Sequence, residues 1–148
     1  MQKFISFAMV ILLTSCSSQS KSMESNQTSP HAPMLCSSKP NCVSTQETRK
    51  DYQVAPFVLT SSDISLSQIE TVALSFPRTE TIEKNDDYLH LTFTSLVLRF
   101  TDDVEIVKEG IHLHIRSKSR VGHSDFGVNR ERLQKLRTKL LEQNLIQP

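Results

Sequence analysis

Val104-Glu105-Ile106-Val107-Lys108-Glu109-Gly110-Ile111-His112-Leu113-His114-Ile115-Arg116 is the stretch that decides the fold. Apolar and polar residues alternate on both sides of Glu109-Gly110, the period-two pattern of paired strands with one buried face. With Glu109-Gly110 as a two-residue turn, Ile106 meets Leu113, Val104 meets Ile115, Glu105 meets His114 and Asp103 meets Arg116. One face of this hairpin is then aliphatic, while the other carries neighbours of opposite charge.

Upstream, Leu96, Leu98, Phe100, Val104 and Ile106 share one parity, which carries Asp102 onto the apolar face if the strand is unbroken. An unpaired buried carboxylate is very costly. Either the strand bends at Thr101-Asp102-Asp103, the favoured reading, or Asp102 is buried with a partner. Residues 79–84 and 88–94 flank Asn85-Asp86-Asp87 and read as a second hairpin, with Leu89, Leu91 and Phe93 on its buried side. Leu66, Ile69, Val72, Ala73 and Phe76 recur at helical spacing, Ser65 with Gln68 resembles a capping box, and Pro77 is a stop signal, so a helix is predicted over 66–76. Leu133, Leu136 and Leu140 predict a second helix over 129–143, with Asn129 as its cap and Glu131 suited to its positive end. The expected class is α+β: a single small domain with an antiparallel sheet of about four strands packed on two helices.

The first sixteen residues differ from the rest. Lys3 precedes the apolar run Phe4 to Leu13, which is too short to span a bilayer, and Leu13-Thr14-Ser15-Cys16 follows. This resembles the signal and lipobox of bacterial lipoproteins, so residues 1–15 are read as a signal peptide and Cys16 as the lipidated mature N-terminus. Acyl chains such as palmitate would then tether the protein to a membrane. Ser17 in place of Asp implies, under the enteric sorting rule, an outer-membrane location facing the periplasm. Residues 16–33 are rich in Ser, Gln, Asn, Thr and Pro, a composition unsuited to a core, and are expected to form a flexible tether. The domain is placed at 34–148.

The chain has three cysteines, so lipidation of Cys16 leaves Cys36 and Cys42 as a pair in an oxidising compartment. A disulfide between them, laid along a sheet edge, would restrict the unfolded chain by roughly 2 kcal/mol. The spacing is not Cys-x-x-Cys, and a metal or redox pair is disfavoured. The 148 residues carry 17 Lys and Arg against 16 Asp and Glu, so removal of Lys3 brings the balance to zero. Without a clustered cationic excess, and with no Trp and only two Tyr, nucleic acid is excluded as the main partner. No cofactor is expected.

Two stretches are similar to the family called domain of unknown function 1499. They are Cys36-Ser-Ser-Lys-Pro-Asn-Cys-Val-Ser-Thr45, and Asp102-Asp103-Val104-Glu105 with Arg116-Ser-Lys-Ser-Arg-Val-Gly-His-Ser-Asp-Phe-Gly-Val-Asn-Arg130. Pro40, Asn41, Cys42, Val43 and Ser44 match the first motif. Asp102, Asp103, Arg116, Ser117, Ser119, Arg120, Gly122, Ser124, Asp125, Gly127, Asn129 and Arg130 match the second. His123 stands where the family pattern has an aromatic residue such as Tyr, which disfavours it as a family-wide base. The resemblance implies no known reaction or ligand.

The candidate site is therefore the loop from Arg116 to Arg130, with Asp102 and Asp103 beside it. Its guanidiniums, hydroxyls and two glycines before a helix favour an anion such as a phosphate or carboxylate. The competing reading is structural, with Arg116, Arg120 and Arg130 held internally by Asp102, Asp103 and Asp125. Other chemistries are weaker. Asp102, Asp103 and Glu105 suggest a carboxylate pair, but strand neighbours point to opposite faces. His112 and His114, with Glu105 and His90, could approach a metal, although a polar sheet face is the commoner explanation. His123-Ser124-Asp125 are sequence neighbours and cannot align as a triad. The expected function is a non-catalytic envelope module that binds a protein partner or an anionic envelope component. The alternative is a hydrolase of a lipid or cell-wall ester or amide.

Overall fold

The computed structural model describes residues 32–148. The expected signal peptide, the expected lipidation site Cys16 and almost all of the expected tether lie outside the described residues. The elements in chain order are β1 (Cys42–Ser44), β2 (Phe57–Val58), α1 (Leu66–Leu74), β3 (Thr79–Lys84), β4 (Tyr88–Thr94), β5 (Thr101–Glu109), β6 (His112–Ser119) and α2 (Val128–Glu142).

The strands form one antiparallel sheet in the order β1-β6-β5-β4-β3, and β2 also pairs with β6. The sheet is thus larger than the expected four strands, because the two short strands share the outer edge of β6. β1 pairs with residues 116–118 of β6 and β2 with residues 112–113. Both helices lie against the face formed by Leu89, Leu91, Phe93, Val104, Ile106, Leu113 and Ile115, to which α1 contributes Leu66, Ile69, Val72 and Ala73 and α2 contributes Leu133, Leu136 and Leu140. Burial of these aliphatic side chains is the main driving force for the two-layer arrangement.

Helix α1 begins as its sequence predicts. The Gln68 Oε1 atom accepts the Ser65 backbone N–H at 2.9 Å, and the chain leaves the helix before Pro77. The β3-β4 hairpin closes on Asn85, whose side-chain oxygen accepts the backbone N–H groups of Asp87 and Tyr88.

The β5-β6 register differs from expectation by two residues. Ile106 meets Ile115, Val104 meets Ser117, Glu105 meets Arg116 and Asp103 meets Lys118. The turn is Gly110-Ile111, with Gly110 at φ +59°. A two-residue hairpin requires positive φ at its first central position, which glycine meets without strain and Glu109 would not. A shift of two residues preserves the face of every side chain and changes only its partner.

Strand β5 is also unbroken through Asp102, which pairs with Phe93 on β4 and Ser119 on β6. The favoured bend at residues 101–103 does not occur. Asp102 lies on the helix-facing side of the sheet and is buried. The former strand residues Leu96, Leu98 and Phe100 belong instead to the exposed β4-β5 connection.

The Cys36–Cys42 disulfide is present, with Cys42 opening the edge strand β1. A second clamp lies beside it. The buried Glu47 carboxylate pairs with the Arg49 guanidinium and accepts the backbone N–H groups of Cys36, Thr48 and Arg49. The Arg49 side chain in turn donates to the carbonyls of Cys36 and Ser37. This clamp holds the N-terminal segment against the sheet.

The hydrogen bond from Arg49 is the largest influence on Glu47; burial opposes it, and backbone N–H groups reinforce it, leaving the carboxyl at about 2 instead of 4.5. A folded-state value below the unfolded one means that its stabilisation is complete above pH 4.5 and is lost as the pH falls through about 2. Glu47→Gln is therefore expected to lower stability at neutral pH and to flatten the fall in stability over that acidic window, as measured by urea unfolding at a series of pH values.

Candidate functional site

Five of the predicted polar residues, Asp102, Ser117, Ser119, Asp125 and Asn129, converge at the end of the sheet where the β4-β5 connection and the β6-α2 loop meet. At their centre is Asn129, whose residue is fully buried. Its Nδ2 group donates to the Asn41 carbonyl at 2.9 Å, to Ser119 Oγ at 3.0 Å and to Asp125 Oδ2 at 2.7 Å. Its Oδ1 atom accepts from Ser117 Oγ at 2.6 Å and from Arg132 Nη1 at 2.6 Å. One amide thus joins β6, the residue before β1, the β6-α2 loop and α2.

Asn129 is not the helix cap expected from the sequence. Gly127 holds the N-cap position at φ +85°, and Asp125 accepts the N–H groups of Gly127 and Asn129 at 3.1 and 2.8 Å. The Asp125 carboxylate performs the capping, which frees the Asn129 side chain to turn inward.

Arg132 completes the cluster. Its Nη2 group meets Asp102 Oδ2 at 2.5 Å, its Nη1 group also donates to Ser117 Oγ at 3.0 Å, and its guanidinium lies 5.1 Å from the Phe93 ring centroid. Both members of the ion pair are about nine-tenths buried. Asp102 is therefore satisfied by Arg132, a residue absent from the sequence-predicted set. Its signal was present: Asn129, Arg132, Leu133 and Leu136 follow helical spacing along one stripe.

On the opposite sheet face, Asp103 accepts three hydrogen bonds from Arg120, two of them shared by Nε, and one from His90. Burial raises its pKa, but Arg120 and His90 outweigh burial and hold the carboxyl below its ordinary range. Arg116 pairs with Glu105 at 2.6 Å and donates to the Leu35 carbonyl. Arg130 donates to the carbonyls of Gln53 and Asp51. Ser124 accepts the Phe126 N–H. Of the expected arginine pairings, Arg120 with Asp103 is present; Arg116 and Arg130 have other partners, because the register and the packing of the 51–53 segment place those partners nearer.

His112 and His114 stack with ring centroids 6.5 Å apart, but His90 turns to Asp103 and His114 lies 3.4 Å from Glu109. Among the described residues, no group of three or more His, Cys, Asp and Glu side chains is arranged to hold a metal ion. Asp102 and Asp103 face opposite sides of the sheet, each with its own cation.

The outer surface of the same two loops has the opposite character. Ser95, Leu96, Val97, Leu98 and Phe100 form one wall, and Val121, Gly122, Phe126 and Val128 the other, of a groove of about 680 Å³. Val97 is 82% exposed and Phe126 96%. Arg99 and Phe126 both occupy left-handed backbone conformations, at φ 55° and 53°. For residues other than glycine this costs about 1 kcal/mol each. Sequence reasoning missed this surface because the Leu96-Val97-Leu98 run was assigned to a buried strand.

The fold and its cluster define the chain as a two-layer α+β domain in which Asp102, Ser117, Ser119 and Asp125 of the motif are joined, directly or through Arg132, to the buried Asn129. It belongs to the family described as "Protein of unknown function (DUF1499)", whose model matches residues 34–140. No curated protein and no solved structure matches the chain.

Removing one partner of a buried ion pair leaves an uncompensated charge. Arg132→Leu is expected to lower the unfolding free energy by about 3 kcal/mol, whereas the Asp102→Leu/Arg132→Leu double variant loses less than the single one. Urea titration of the two variants and the parent chain measures the difference.

Proposed function

We propose that the domain is a non-catalytic binding module of the cell envelope and that it binds through the apolar groove between residues 95–100 and 121–128. One contrast carries this reading. The polar side chains of the second sequence motif are bonded within the chain, whereas the large apolar side chains of the same two loops point to water. A monomer that exposes so continuous an apolar patch commonly uses it to bind. The groove volume falls within the range of ligand sites, and its lining is mainly aliphatic.

The arginine-rich loop is less suited to the anion role. Arg116, Arg120 and Arg130 already have carboxylate or carbonyl partners, and an incoming anion would have to displace them. The resemblance of residues 1–16 to a lipoprotein signal supports this reading, since a lipid at Cys16 would hold the domain beside a membrane, where apolar chains are abundant. No helix of the described residues is long and apolar enough to cross a membrane, so under this reading the attachment is the lipid at Cys16.

A fluorescent fatty-acyl probe tests the groove directly, using the chain with Cys16→Ser so that no acyl group of its own competes. The Leu96→Asp/Leu98→Asp variant is expected to weaken probe binding at least about tenfold, because burying either new carboxylate opposes binding. Arg120→Ala is expected to change it less than about twofold. The reverse ranking in a fluorescence titration would return the ligand site to the arginine loop.

A further inference from the structure

We infer that the occupant of the groove is the surface of an anionic lipid bilayer, into which the tips of the 95–100 and 121–128 loops insert to shallow depth. This rests on the binding reading above and narrows it to one partner.

The direction of the side chains distinguishes a bilayer from a single soluble acyl chain. A single chain lying in the groove would touch only the inward sides of Val97 and Phe126, which line it, and most of these two side chains, 82% and 96% exposed, would stay in water. A bilayer interface covers the groove and these outward tips together. Chemistry distinguishes a bilayer from a protein. Interface centres favour Trp, Tyr, Phe, Met and Arg in fitted pockets and are poor in Leu and Val, whereas the apolar part of this surface is mostly Leu and Val beside two Phe. Its polar members are already engaged: Ser95 Oγ accepts the Phe100 N–H, Ser119 Oγ accepts from Asn129, and Ser124 Oγ accepts the Phe126 N–H within the loop. What remains is non-directional apolar surface, which suits a fluid hydrocarbon boundary.

Charge agrees. The exposed Arg99 stands between Leu98 and Phe100 at the tip, while the two carboxylates that border the groove, Asp102 and Asp125, are held by Arg132 and by the α2 N-terminus. The rim thus offers a cation, whose long stem lets it reach phosphates while the neighbouring chains enter the apolar layer. The loop has few internal backbone bonds beyond Ser95 N–H to the Phe100 carbonyl, so deep burial of its peptide groups is unfavourable and insertion stops at the headgroup boundary. The reach of the chain also fits. Only residues 17–31 separate Cys16 from the described domain, so a lipid at Cys16 would keep the domain beside the bilayer.

The chain contains no tryptophan, so one introduced indole reports its surroundings alone. The full chain carrying Val97→Trp is reconstituted with vesicles of phosphatidylethanolamine and phosphatidylglycerol, and a chain carrying Ile111→Trp, in the turn at the other end of the sheet, is the control. The expected result is a blue shift for the Val97→Trp indole and loss of roughly half its emission to lipids brominated near the headgroup, with neither effect in the control. Adding Leu96→Asp/Leu98→Asp to Val97→Trp is expected to abolish both effects while leaving the thermal midpoint unchanged. An indole that is already blue-shifted without lipid, and insensitive to brominated lipid, would mean that protein fills the groove; that overturns the bilayer and leaves the binding reading standing. An indole that stays in water with vesicles, in a chain whose fatty-acyl probe binding is also unaffected by Leu96→Asp/Leu98→Asp, would overturn both.

Discussion

The carboxylate of Asp102 sits on a sheet face that is otherwise aliphatic, and the end of the domain around it is organised to keep that charge satisfied. Strand alternation leaves no choice of side: with Val104 and Ile106 facing the helices, Asp102 must face them too. Arg132 supplies the opposite charge, but a guanidinium brought into the same space has donors of its own to satisfy. Asn129 and Ser117 accept them, and the remaining donors of Asn129 tie in Asn41, Ser119 and Asp125. One buried charge therefore propagates into a network that positions the start of α2, the β6-α2 loop and the residue leading into β1. Such a network is stable only when every member is paired, which gives a physical reason for several residue types in the motif.

That same network has a consequence at the surface. Holding the 120–127 loop from beneath by Asn129, Asp125 and Asn41 lets its outer side carry residues that contribute nothing to the core. The β4-β5 connection lies beside it, beginning where Phe93 and Thr94 leave β4 and ending at Thr101 and Asp102 on β5. Polar anchoring on the inside and apolar display on the outside are thus two sides of one piece of chain. In soluble domains such a surface is a liability unless it is used, and it is the feature on which the binding reading stands.

Much of the architecture was legible before the structure, and the misses share a cause. The two hairpins, the α1 capping box, the leucine stripe of α2 and the disulfide follow from patterns within a few residues of one another. The hairpin register failed by two residues because alternation is unchanged by such a shift; only the backbone conformation required at Gly110 separates the two pairings. Leu96 to Phe100 was read as strand because its parity continues that of β5. In the fold this run reaches past the end of β4, where no strand is left to pair with it, and into solvent. Asn129 was assigned to the cap because of its residue type and place, whereas the nearby Asp125 reaches the same backbone donors.

From its sequence alone, this protein's α+β class, its helical and strand periodicities, its cysteine pairing and the polar composition of its long loop were determined, since each depends on local stereochemistry or on residue counts. The partner of Asp102, the inward turn of Asn129 and the union of two apolar loops into one groove were decided by the folded chain. Each of these joins residues roughly ten to ninety positions apart, and which of several chemically acceptable partners meet is set by the packing of helices on the sheet and by a register that alternation alone leaves open.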